Sequence, residues 1–161
     1  MNHYQKFLLP YMTTRLRVNI DKEENLFFVN ITTGGYGFRL KVNEKPEYVL
    51  GLINSKFLNY SIQQMTNKFR GGYFAVNKQG VERLPYRPIN FSDPAEKAKH
   101  DQMVTLVERM LALHKNLASA KTPQEKESMQ RQVESTDGAI DRLVYELYGL
   151  TEEKIKIVEG A

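Results

Sequence analysis

The chain contains no cysteine, so disulfide scaffolds, zinc–thiolate sites and cysteine nucleophiles are all excluded. It has no apolar run approaching the roughly 18 residues that a membrane helix needs. Its N-terminus, MNHYQKFLLPYM, lacks the basic-then-apolar design of a secretion signal, which points to the cytoplasm. Histidine is scarce: the three residues, His3, His100 and His114, are too few and too scattered to build a metal centre. No G-x-S-x-G occurs, which removes the usual strand–turn–helix hydrolase nucleophile. No Pro-Pro pair occurs either, which removes the polar-Pro-Pro-aromatic loop of an adenine or cytosine methyltransferase. Thr33-Gly34-Gly35-Tyr36-Gly37 is glycine-rich, but it lacks the spacing and the following helix of a dinucleotide-binding turn. Glu152-Glu153-Lys154 contains an E-x-K, but acidic residues are expected in the first turn of a short terminal helix. No Pro-Asp dipeptide precedes it, so a metal-dependent nuclease is not indicated.

What remains is a chain of 161 residues, 41% hydrophobic and 26% charged, long enough for one domain or one domain with an appendage. The net charge of +4 is unevenly spread. Residues 1–91 hold 13 Lys/Arg against 6 Asp/Glu, while residues 92–161 hold 10 against 13. A basic half joined to a mildly acidic half suggests that the first half meets a polyanion. The texture changes at the same place. We therefore expect an α/β lobe over 1–91, and a helical hairpin with a short terminal helix over 92–161. The fold class is α+β, with a small antiparallel or mixed sheet, one packed helix and a long antiparallel helical hairpin.

In the first half, Thr14 to Ile20 alternates, with Leu16, Val18 and Ile20 on one side and Arg15, Arg17 and Asn19 on the other. That is the period of a half-buried strand. Leu26–Thr32 reads as a more buried strand. Tyr36 to Val42 alternates again, with Tyr36, Phe38, Leu40 and Val42 inward and Arg39 and Lys41 outward. A hairpin at Gly34-Gly35 joins the last two. Pro46 opens one helix that runs to about Met65. Asn67 to Gly72 breaks it, Tyr73–Val76 is a short strand, and Asn77 to Gly80 is a turn. Pro85 and Pro88 keep 81–89 extended.

The second half has clear helix punctuation. Asp93-Pro94-Ala95-Glu96 and Thr122-Pro123-Gln124-Glu125 each place a capping residue, a first-turn proline and a carboxylate three residues on. Met103, Leu106, Met110, Leu113, Leu117 and Ala120 form one heptad stripe. Met129, Val133, Thr136, Ile140, Leu143, Leu147 and Leu150 form the other. Gly138 would allow close approach of the facing helix. Gly149 ends the second helix and Thr151 caps a short final one. His100 and His114 flank the seam and are expected to be solvated or at its edge.

The cations of the first half sit among aromatics and glycines. Lys68-Phe69-Arg70-Gly71-Gly72-Tyr73-Phe74 packs two of them into one short loop, and Lys78, Gln79 and Arg83 follow. Lys and Arg neutralise phosphates and release counterions. Arg can also read guanine, and Gln adenine. An ordinary solvated sheet face would carry the same pattern. On charge, strand face and loop position, Arg39, Arg70, Tyr73, Lys78 and Gln79 are candidates for base or groove contact. Arg15, Arg17, Lys41, Lys68 and Arg83 are candidates for phosphate contact.

Three runs carry a resemblance: YVLGLINSK at 48–56, GGYF at 71–74 and LPYRPI at 84–89. Further along come HDQMV at 100–104, MLALHK at 110–115 and DRLVYELYGLTEE at 141–153. Together, over about residues 26 to 160, they resemble the TaqI-like C-terminal specificity domain. This is the target-recognition domain of combined restriction-modification enzymes and related adenine-specific DNA methyltransferases. The resemblance implies a division of labour. In that family a methyltransferase domain, and often a nuclease domain, lies N-terminal to this region. S-adenosylmethionine and magnesium would belong to those domains, with no cofactor and no catalytic residue in this chain. Its partners would be double-stranded DNA and the catalytic domain of the parent enzyme.

A different class of function uses the hairpin itself. It would bind a protein, or a second copy of the chain, through apolar positions such as Val104, Leu111 and Val144. A third option is single-stranded or structured RNA, with Tyr36, Tyr73 and Phe74 stacking on bases.

Overall fold

A computed structural model describes residues 6–21, 34–39 and 43–160, with only the backbone of Tyr36. The fold is α+β. Strands β1 (Lys6–Pro10), β3 (Asn19–Asp21) and β4 (Gly35–Arg39) form one antiparallel sheet in the order β3-β1-β4. Strands β2 (Met12–Thr13) and β5 (Phe74–Ala75) form a short antiparallel ribbon. Helices α1 (Pro46–Asn54), α2 (Lys56–Met65) and α3 (Lys78–Glu82) complete the first half. Helices α4 (Pro94–Ser119), α5 (Pro123–Tyr148) and α6 (Glu152–Glu159) make up the second.

The centre of the sheet is β1, which the sequence reading did not identify as a strand. Phe7 pairs with Ile20 on one side and Phe38 on the other, and the Phe7 and Phe38 rings stack at 5.3 Å. The glycine that opens β4 is required sterically. A Cβ on Gly35 would collide with the carbonyl oxygen of Leu9 across the ladder. The expected partner strand, Leu26–Thr32, and residues Leu40–Val42 lie outside the described residues. The partner of β4 within them is β1.

The alternation over Thr14–Ile20 is present, but most of the expected strand is not. Leu16 and Val18 are buried and Arg17 is exposed, yet the ladder begins only at Asn19. Side chains from the helices take the place of a neighbouring strand. Asn59 accepts from the Leu16 amide at 2.8 Å. Asn54 accepts from the Val18 amide at 2.7 Å and donates to the Val18 carbonyl at 2.8 Å. The backbone groups are satisfied without a sheet, as burial requires.

The single helix expected over 46–65 is two. Ser55 takes extended backbone, donates to the Leu52 carbonyl and accepts from the Leu58 amide, so it ends α1 and caps α2. The α2 N-terminus gains a second acceptor, the Asp141 carboxylate, 2.8 Å from the Lys56 amide. The expected turn at Asn77–Gly80 tightens into α3, where the Asn77 side chain accepts from the Gly80 amide. Extended chain over 81–89 is therefore delayed until α3 has ended.

The helix punctuation of the second half is observed in detail. Thr122 and Glu125 form a reciprocal capping box. Asp93 caps α4 through the Ala95 amide, Thr151 caps α6, and Gly149 closes α5 in the left-handed region at φ 59°. Glu96, however, turns away from its cap. Its carboxylate accepts from Arg87 at 2.6 Å and from the Asn90 amide at 2.7 Å, which binds the irregular 83–90 segment to α4.

The helix α4 has two seams, and this overturns several sequence expectations. One seam faces α5 and the other faces α1, where Gly51 lets the two helices approach closely. A Cβ there would collide with the Met103 sulfur and press on Val107. Val104 is therefore buried, Val144 on α5 is buried in the same core, and neither is open to an external partner, whereas Leu111 is exposed. His100, expected to be solvated or at the edge of the seam, is buried where α4 meets the start of α1. Its Nε2 accepts from the Lys45 amide at 3.2 Å, which leaves the proton on Nδ1 to donate to Asp101 at 2.9 Å. Tyr48 and Phe91 pack on its ring. Gly138 does not admit a facing helix, because a Cβ there would meet only its own helix's Arg142. A single hydrophobic cluster joins Phe7, Leu9, Leu16 and Tyr48 to Met103, Val107, Ile140 and Leu147.

Candidate nucleic-acid interface

The segment 68–74 is a tight hairpin. Lys68 bridges Phe74 in antiparallel sense, and the Phe69 amide donates to the Tyr73 carbonyl at 2.6 Å. The turn, Arg70–Gly72, is possible because Gly71 and Gly72 take φ of 80° and 77°, a region that side chains with a Cβ rarely adopt. Phe74 also pairs with Thr13 of β2, two residues before Arg15. The hairpin thus lies beside the chain that carries Arg15 and Arg17.

Alternation decides which side chains face outward. Phe74 is 1% exposed and anchors the hairpin in the core. Phe69 and Tyr73 are opposite each other in the same register, so they share the other face, at 49% and 47% exposure. Lys68 and Arg70 are exposed, and among the described residues neither has a carboxylate partner. Phe74, being buried, is excluded from the base stacking considered for an RNA ligand. The side chain of Tyr36 lies outside what is described.

The other candidate residues fall into two further groups. Arg39, in β4, and Lys78, in α3, line one apolar cavity of about 530 Å³ with Phe38, Leu52, Leu58 and Val81. Lys78 is paired with Glu82 at 3.6 Å. Gln79 is exposed on α3 beside it, and Arg83 is exposed just after that helix. Arg15 and Arg17 line a second groove, against His114, Gln130 and Glu134 of the helical hairpin. Arg15 is held there by Asp137 at 3.3 Å, whereas Arg17 is exposed and has no carboxylate partner among the described residues. Lys41 lies outside the described residues.

Sequence reasoning passed over two features of this surface. One is Phe69, whose outward position follows from its register opposite Tyr73 in the folded hairpin. The other is the segment behind the surface. Tyr48 donates to the Arg87 carbonyl, Tyr148 to the Pro85 carbonyl, and the Glu44 carboxylate accepts from the Ile89 amide. Burial pushes the Tyr148 phenol up to about 12, so it remains a donor at neutral pH. The Arg87 hydrogen bond holds the Glu96 carboxyl below the usual carboxylate range, so that pair is ionised. These anchors fix the path from α3 to α4. Among the described residues, no three His, Asp or Glu come together as a metal-ligand set, and no helix is long and apolar enough to cross a membrane.

No protein-family profile matches the chain. Over 149 residues it is 24% identical to a type II restriction enzyme and methyltransferase, RM.Eco57I of Escherichia coli. The alignment covers 91% of this chain but 15% of that protein. The chain therefore spans a small part of the curated relative it matches. The similarity is to a restriction-modification enzyme and does not of itself assign a domain.

Proposed function

We propose that this chain is a sequence-specific reader of double-stranded DNA, the specificity module of a restriction-modification enzyme of the adenine-methyltransferase/endonuclease kind. In this reading it makes and breaks no covalent bonds. The observation that carries the proposal is the 68–74 hairpin. It combines cations that have no carboxylate partner among the described residues, outward aromatics and a glycine turn on one element, in a chain similar to a restriction-modification enzyme.

The mechanism divides positioning from reading. Lys68 and Arg17 neutralise phosphates and set the register on the duplex. Arg70, at the hairpin turn, reaches base edges, where a guanidinium can pair with guanine through two parallel bonds. Arg39, Lys78 and Gln79 supply a second set of contacts from the face bordered by the apolar cavity. The paired helices α4 and α5 act as a strut that fixes this lobe relative to a catalytic domain. Methyl transfer and cleavage, with S-adenosylmethionine and magnesium, belong to that other domain.

The test is binding to mixed-sequence duplex DNA over a salt series. Each phosphate contact contributes a slope of about −0.9 in log K against log salt. A slope steeper than about −2 supports the reading, since it requires more than two contacts. A flat response, or no binding at low salt, overturns it.

A further inference from the structure

We infer that Phe69 and Tyr73 form an aromatic wedge that enters the DNA helix at a base step and stacks on the bases it separates. The inference deepens the DNA-reading function and rests on it. Phe69 and Tyr73 are the most exposed aromatic side chains among the described residues, at 49% and 47%. They are directly opposed on the solvent face of a three-residue hairpin turn, and among the described residues neither ring stacks on another. Both residues have extended backbone, so the shared face follows from register alone. The turn is also built to protrude. A Cβ on Gly72 would meet nothing within 4 Å, and one on Gly71 would meet only the Tyr73 ring. The glycines are thus required by the left-handed backbone and not by crowding, and the ring of Tyr73 lies alongside the bare edge of Gly71.

The occupant follows from charge. Arg70 stands at the turn beside the rings, and Lys68, on the face shared with Phe74, precedes Phe69; neither has a carboxylate partner among the described residues, so cationic charge lies on both sides of the hairpin that carries the rings. An apolar peptide would leave those charges unused, whereas a nucleic acid supplies both a stacking face and phosphates. The wedge would unstack one step, at a cost that is lowest where the pair is already weakened.

The experiment compares two fluorescein-labelled duplexes of the same mixed sequence, one fully paired and one with a single central A·C mismatch flanked by 2-aminopurine. The whole chain should bind the mismatched duplex roughly tenfold more tightly, because a mismatched step costs less to open. 2-Aminopurine emission should rise on binding as the step opens. The F69A/Y73A variant should bind both duplexes equally, with its salt slope unchanged. The F69L/Y73L variant keeps the apolar bulk without the aromatic face, and it should keep at most part of the preference; a preference it keeps in full would overturn stacking on the bases. Both positions are solvent-exposed, and a thermal melt of each variant checks the fold. Salt-dependent binding without preference between the duplexes overturns the wedge and leaves DNA reading intact. So does a preference that survives both variants. No salt-dependent binding to either duplex overturns both readings. Tighter binding to single-stranded RNA of the same sequence would replace the wedge with an RNA platform.

Discussion

The chain holds its cations in two ways. Arg15, Lys56, Lys78 and Arg87 each stand within 4.0 Å of a carboxylate, on Asp137, Asp141, Glu82 and Glu96 respectively. Arg17, Lys68, Arg70 and Arg83 have no such neighbour among the described residues. The two sets are indistinguishable by composition, but they differ in what they can do. A paired cation must give up its carboxylate, or share it, before it can neutralise a phosphate. An unpaired one exchanges only water and counterions. The unpaired set includes both cations of the 68–74 hairpin. The paired set includes Arg87 and Lys56, which lie where the first half of the chain meets α4, α5 and α6.

The sharpest test of this contrast is the K68A/R70A double substitution. If both cations contact phosphate or base, the salt slope should flatten by about 1.8. Affinity for mixed-sequence duplex should then fall roughly fiftyfold at 0.1 M salt. Neither side chain is buried, so the melting temperature should stay close to that of the parent chain. An unchanged slope would remove the hairpin from the interface.

Arg87 should behave in the opposite sense. Its guanidinium reaches Glu96, the Leu147 carbonyl and the Pro88 carbonyl, and so ties the 83–90 segment to α4 and α5. R87A should lower the melting temperature by about 3 °C or more, because a chain of this size shifts by 2–4 °C for each kcal/mol lost. At temperatures where the variant is folded, its salt slope on DNA should be that of the parent. A flattened slope with an unchanged melt would move Arg87 into the interface.

Such differences explain which parts of the molecule are legible in the sequence. Helix ends are local: the proline, cap and carboxylate at 93–96 and 122–125 act within four residues, and α4 and α5 begin where those signals stand. Pairing is not local. Asp137 is 122 residues from Arg15, and nothing in the alternation of residues 14–20 reveals it. The same holds for Asn54 and Asn59, which replace a strand by reaching residues 16–18 from a different element. His100 and Val104 are misread from a heptad alone, since a two-helix pattern contains no sign of α1 packing on the second seam of α4; Val144, on α5, is likewise buried in the shared core. Of the candidate site, the hairpin's cations and glycines are legible. That Phe74 points inward and Phe69 outward depends on the pairing with β2.

Lys56 and Asp141 offer a finer test within the paired set. Asp141 is buried, and burial raises its pKa above the ordinary aspartate value, with the Asp137 charge adding to the effect. The Lys56 amide and the charges of Lys56 and Arg15 oppose the shift without cancelling it. A folded-state pKa above the unfolded one means that the native state favours the protonated form. This residue's contribution to stability is therefore fully present below the unfolded pKa, and is lost as pH rises through the folded value. Glu96, Asp101, Glu125 and Glu153 are shifted down and contribute in the opposite direction, so the whole-protein profile masks the effect. The difference between wild type and D141N isolates it. Melting curves across the acid range should show wild type losing stability relative to D141N as pH increases. A difference that moves the other way would mean that the Lys56 pair outweighs burial.

The smallest effect is expected at Lys78, which is paired by only an exposed helical neighbour. Its side chain is 82% exposed and that of Glu82 is 62% exposed, four residues apart on α3. Pairs of this kind stabilise a helix by about 0.2–0.5 kcal/mol, and salt weakens them further. K78A should therefore leave the melting temperature within about 2 °C of the parent. Its effect on DNA binding depends on whether Glu82 keeps the charge occupied. If it does, the salt slope should change by well under the 0.9 of a free phosphate contact. E82Q would then release Lys78 and steepen the slope of the otherwise unaltered chain. Equal slopes for parent, K78A and E82Q would confine DNA contact to the unpaired cations. A full loss of about 0.9 in K78A would show instead that a weak surface pair is no barrier to phosphate, and the division between the two sets would no longer predict which cations reach DNA.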